Sequence, residues 1–79
     1  MGVTFTQFKM LVKINAAIIL LESTNMSIAE IASYLNFNDQ AYLSNQFKKY
    51  TSYSPNQVRN NPLLVDNWSL YTYLNSTHH

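Results

Sequence analysis

The sequence predicts an all-α fold, a small helical domain, and two observations carry that prediction. At three places Ser or Thr is followed three residues later by Glu or Gln: Thr4 and Gln7, Ser27 and Glu30, Ser54 and Gln57. This is the reciprocal capping box, in which the hydroxyl accepts from a first-turn N–H while the longer side chain reaches back to the cap's own N–H. Behind these starts, apolar residues recur at the helical period of about 3.6 residues rather than at the strand period of about 2.

The first helix is expected over residues 5–23. Eleven of the fourteen residues from Phe8 to Leu21 are apolar, and only Lys9, Lys13 and Asn15 interrupt them. A single amphipathic stripe would use about half of these, so this helix is expected to be covered on more than one side. The second helix, 28–35, starts at Ser27 and places Ile28, Ile31, Ala32 and Leu35 on one face. Asn36, Phe37 and Asn38 follow, a connection of the length used in a helix-turn-helix. Asn36 tolerates the left-handed backbone such a turn needs, and Phe37 can fold back as a core plug. The third helix, 39–50, is expected to start at Asn38 with Asp39 behind it, a carboxylate suited to the amino-terminal dipole. Its core face is Leu43, Phe47 and Tyr50. The fourth, 55–60, has Ser54 as cap and Pro55 with a preset φ at the first helical position, and a weaker start follows at Asn61-Pro62. The tail, 62–79, satisfies two patterns: Leu64, Trp68 and Tyr71 suit a helix, while Trp68, Leu70, Thr72 and Leu74 suit one side of a strand. Helix is the reading preferred, on the strength of Asn61-Pro62.

Composition narrows the function classes. A chain of 79 residues without cysteine can hold neither a disulfide framework nor a thiolate metal site, so its stability rests on apolar packing. Charged residues make up 11% against an ordinary ~25%, which argues against a charged, disordered segment. The apolar stretch Met10 to Leu21 is broken by Lys13 and Asn15 and is shorter than the roughly 18 to 20 residues of a membrane span. No secretory leader is recognisable, and the expected compartment is the cytoplasm.

An enzyme is not expected. Acid/base and nucleophilic chemistry need a titratable group held beside a partner, yet Glu22, Glu30, Asp39 and Asp66 are dispersed, with no two at a helical pairing distance. A phosphate-cradling loop is excluded with Gly2 as the sole glycine. His78 and His79 end the chain, where a terminal tag remnant is the simpler reading than a ligand pair. No catalytic residue, metal ligand or cofactor is implied.

Binding is the alternative to catalysis, and the third helix carries it. At about 100° per residue, Gln40, Ala41, Ser44, Asn45 and Lys48 share a face away from Leu43, Phe47 and Tyr50. Gln and Asn can pair bidentately with adenine in the major groove, Ser can meet several base edges, and an Ala methyl can meet the thymine methyl. Lys48 and Lys49 suit phosphates. A solvated polar stripe would have the same composition; the position of this helix, directly after a three-residue turn, favours the DNA reading.

The stretch Ser27 to Arg59, SIAEIASYLNFNDQAYLSNQFKKYTSYSPNQVR, resembles the carboxyl-terminal signature of AraC/XylS-type transcription regulators. That signature runs roughly S-I-x-E-I-A, G-F, S-Y-F-S-x-x-F-K-K and G-x-S-P-x-x-Y-R. Thr4-Phe5, Phe8, Lys13-Ile14, Ala17 and Leu20-Leu21 resemble the linker helix that precedes it, so the likeness spans residues 2–60. It implies that residues 1–61 are a long linker helix and one helix-turn-helix of a bacterial-type regulator, and the aromatic tail over 62–79 follows outside the likeness. By the same resemblance Gln40, Ala41, Ser44 and Asn45 face bases in the major groove of double-stranded DNA. Lys48 and Lys49 serve the backbone, and Phe8, Ile14, Ala17 and Leu21 form the linker-helix core; Arg59 and Lys13 are the further cations placed to neutralise phosphates. The chain departs from the pattern at Asn36 and Ser52, where the family has Gly, and at Leu43 for Phe, Lys13 for Arg and Val58 for Tyr. Asn45 stands where a basic residue is common, which shifts the expected preference from guanine toward adenine.

Residues 2–8 echo residues 52–58 at an offset of fifty, and both resemble the segment after a recognition helix. The expectation is a fragment that begins just after a first helix-turn-helix. Net charge is only +1, far from a strongly basic footprint. The rival reading is therefore an interaction module presenting Tyr34, Tyr42, Tyr50 and Tyr53 or the aromatic tail to a protein. The apolar excess of helix 5–23 also predicts that some of Phe5, Phe8, Leu11, Val12, Ile18 and Ile19 lack partners. A homodimer through that face, with the tail contributing, is expected to cover them.

Overall fold

The structure, a computed structural model, describes residues 4–66 and 68. Four α-helices follow one another, α1 (Phe5–Ser23), α2 (Ile28–Tyr34), α3 (Gln40–Thr51) and α4 (Pro55–Asn60), and a 3-10 turn over Pro62–Val65 closes the described chain. No strand occurs among the described residues, and no helix there is long and apolar enough to cross a membrane. Of the tail, Pro62–Val65 takes the 3-10 turn, and the strand-or-helix alternative from Leu70 onward falls on residues outside the described set.

All three capping boxes form. Thr4, Ser27 and Ser54 each accept from the N–H three residues on, and Gln7, Glu30 and Gln57 return to the cap N–H at 3.0, 2.7 and 2.8 Å. The start of α3 differs by one residue from the sequence expectation. Asp39, not Asn38, is the cap, its Oδ1 accepting from Tyr42 N–H at 2.7 Å. A carboxylate combines the hydrogen bond of a cap with the charge preferred at a helix amino terminus. At Asn61-Pro62 the chain makes a 3-10 turn without a side-chain cap.

The helices meet around one core. Ile14, Ala17 and Leu21 of α1, Ile31 and Ala32 of α2, Phe37 of the turn, Leu43 and Phe47 of α3, and Val58 of α4 are buried together, and Val65 closes the bottom. Phe8, expected in the linker-helix core, is 39% exposed near the amino-terminal end of α1. Phe5, Val12 and Ile19 are exposed with it, whereas Leu11 and Ile18 are buried.

Two helix ends are fastened from far along the chain. No basic residue stands in the last turn of α1. Arg59 of α4 supplies the missing positive charge, Nε donating to the Leu21 carbonyl at 3.4 Å and Nη2 to the Thr24 carbonyl at 3.3 Å. At the end of α3, Ser52 takes the left-handed conformation (φ 73°) and its N–H donates to Lys48 O at 2.8 Å. Thr51, buried, donates its hydroxyl to Phe47 O at 2.8 Å and accepts from Tyr53 N–H at 3.2 Å.

Candidate nucleic-acid interface

The turn between α2 and α3 sets the direction of α3, and its geometry follows from one residue. Asn36 has φ 63°, the left-handed region that non-glycine residues avoid and that Asn tolerates best. This lets Phe37 N–H reach back to Ala32 O at 2.8 Å and Asn36 N–H to Ser33 O at 3.1 Å, the paired closure of a helix carboxyl terminus known as the Schellman motif. Phe37 is thereby turned into the core. Its ring lies 5.9 Å from Tyr42 and carries Lys13 Nζ at 5.2 Å from its centroid. The same ammonium donates to Asn36 O at 3.5 Å, so Lys13 pins the turn to α1.

With the turn held, α3 divides cleanly. Leu43, Phe47 and Thr51 are buried, while Gln40, Ala41, Asn45, Lys48 and Lys49 are exposed and Ser44 is half-buried at the margin. The expected polar face is thus a real surface, short-chained at its leading end and cationic in its last turn. Lys49 lies over the Tyr50 ring at 5.4 Å. Arg59, expected on the DNA backbone, directs its guanidinium to α1. Among the described residues, no group of three or more His, Cys, Asp or Glu could hold a metal.

Sequence reasoning missed part of this surface. An open cleft along the outside of the turn is lined by Ala29 and Ser33 of α2, by Asn36, Asn38 and Asp39, and by Gln40. Ala29 and Ser33 are exposed, and the polar surface therefore continues from α3 across the turn onto α2. Their signal was present, two small residues four apart on the side of α2 opposite Ile31, but it is weak in so short a helix. Of the tyrosines proposed for a protein contact, Tyr34 and Tyr42 are exposed, whereas Tyr50 and Tyr53 pack against the core.

A helix closed by a left-handed residue, a short turn and a second helix with a polar outer side define the helix-turn-helix class of DNA-binding domains. Residues 1–61 match the family described as helix-turn-helix domain, and the chain belongs to its AraC type, a family of DNA-binding transcription regulators and not a class of enzyme. It is 36% identical over 59 residues to the arabinose operon regulatory proteins of Salmonella typhimurium (strain LT2) and Escherichia coli (strain K12). Those alignments cover 75% of this chain and 21% and 20% of the two proteins. The chain spans about a fifth of the length of the curated relatives it matches. No solved structure matches it significantly.

Proposed function

We propose that this chain is the DNA-reading part of a sequence-specific transcription regulator acting in the cytoplasm, with α3 laid in the major groove of double-stranded DNA. The observation that supports it most directly is the exposed polar side of α3, Gln40, Ala41, Asn45 and Lys48, on a helix whose direction is set by a capped turn. Gln40 and Asn45 pair with adenines, Ser44 meets a base edge at the margin, and Ala41 packs on a thymine methyl. Lys48 and Lys49 neutralise phosphates, and Lys13 does so from beside the turn. Arg59, whose guanidinium already donates to two carbonyls, contributes charge rather than a free fork. In this reading, residues 1–61 are a linker helix and one helix-turn-helix of a longer regulator.

A second contact follows from α1. Phe5, Phe8, Val12 and Ile19 are exposed on it, and in this reading they pair two copies of the chain as a homodimer, assigning the protein partner to α1 and DNA to α3.

The test is a randomised-site selection with Gln40→Ala and Asn45→Ala. Each should relax the preference at one base pair by about 1 to 3 kcal/mol. Both variants keeping the parental motif would remove these residues from the reading set.

A further inference from the structure

The residues that follow the family-matched region reach back to the recognition helix. The match ends at residue 61. Beyond it, Pro62–Val65 forms the 3-10 turn, Val65 enters the core, and Trp68 packs against that core. Trp68 Nε1 donates to Tyr50 O at 2.9 Å across eighteen positions. Its backbone N–H is held in turn by Val65 O at 3.0 Å.

Tyr50 is the penultimate residue of α3, so the carbonyl that accepts the indole N–H lies in the helix's last turn. The other hydrogen bonds of this end, Ser52 N–H to Lys48 O and Thr51 Oγ1 to Phe47 O, are local and add to the burial of Phe47 and Thr51 on the inner side. Trp68 differs because its anchor, Val65, belongs to the core. The bond therefore ties the end of α3 to the body of the domain, on the turn that carries Lys48 and Lys49.

We propose that Trp68 is a positioning residue for the recognition helix: through its indole N–H it holds the last turn of α3 and hence the two lysines at the phosphates. This rests on the DNA reading above for its functional consequence, but not for its structural one. The leading end of α3, with Gln40 and Ala41, is set by the Asn36 turn and the Asp39 cap. Loss of the indole bond therefore weakens binding to all sequences alike and leaves base preference unchanged.

The experiment compares Trp68→Phe, which keeps an aromatic ring and removes the N–H, with Ile14→Val. The latter trims a fully buried α1 side chain that makes no bond to the α3 backbone end and serves as a control for general destabilisation. Two readouts are taken at a temperature where both variants are folded: amide hydrogen exchange along α3 without DNA, and affinity for selected and scrambled duplexes. Trp68→Phe should lower protection at Lys48 to Thr51 but not at Leu43, and should lower affinity for both duplexes by about 3- to 10-fold, the equivalent of one ordinary net hydrogen bond. Ile14→Val should do neither selectively. If Trp68→Phe leaves the protection of the last turn unchanged, or if Ile14→Val lowers it equally, the positioning role is overturned. If the parent protein shows no duplex binding while Trp68→Phe still loosens the last turn, the indole anchor stands and the DNA reading fails.

Discussion

α1 and α3 are both regular helices that lend one side to the same core, yet their outer sides are opposites. On α1 the exposed residues include Phe5, Phe8, Val12 and Ile19. On α3 they include Gln40, Ala41, Asn45, Lys48 and Lys49, beside Tyr42. An apolar outer face gains free energy when another apolar surface covers it, whereas short amides and a hydroxyl backed by two lysines gain it by meeting hydrogen-bonding edges and phosphates. The difference teaches that the helix shared by the two regions is only a scaffold. Under the proposed function the two outer sides divide the work, a second copy of the chain on α1 and a polyanion on α3.

The division is most severely tested where the two helices share their inner side. Phe47 is fully buried in the shared core, and Phe47→Ala should cost about 3 to 5 kcal/mol, a large fraction of the roughly 5 to 15 kcal/mol that holds a domain together. Urea denaturation should find the variant largely unfolded, losing both outer surfaces at once. Asn45→Ala in the same experiment should shift stability by no more than about 0.5 kcal/mol. A large loss there would mean that the polar side of α3 is structural.

A smaller effect separates caps from faces. Ser27→Ala removes the hydroxyl that accepts Glu30 N–H at 3.0 Å and should cost about 1 kcal/mol, read as a lower thermal midpoint. The cost falls on α2 and on the turn that aims α3.

Phe8→Ser with Val12→Ser should have the smallest effect on the folded monomer, because both side chains already meet solvent. If α1 pairs two copies as proposed, sedimentation should find a dimer in the parent and a monomer in the variant, with stability little changed. A parent that is strictly monomeric at high concentration would break the comparison on the α1 side.

The caps and the turn were legible because their information is local: each box needs four residues, and Asn36 needs only its own backbone preference. Helix boundaries fell within one residue for the same reason. What stayed hidden depends on folding the chain back on itself. Arg59 reads as a phosphate contact in the sequence, since nothing nearby reveals that the end of α1 lacks a cation and lies within its reach. Trp68 reads equally well as helix or strand, because its partner is a carbonyl eighteen residues away. Phe8 follows the periodicity of a core residue yet is exposed, and periodicity carries no information about which side of a helix its neighbours cover. For the candidate site, the side of α3 that faces outward was readable from spacing, while its continuation onto Ala29 and Ser33 required the turn to be built.

The central claim, that the outer side of α3 serves a polyanion, is tested most directly by titrating a selected duplex with the protein at several salt concentrations. Lys13, Lys48 and Lys49 acting as phosphate contacts, at ~0.9 each, give a slope of log K against log salt of about −3, and Lys48→Ala should reduce it by about one unit while weakening all sequences alike. A slope near zero, with affinity retained at high salt, would contradict the account and assign α3 to a protein partner.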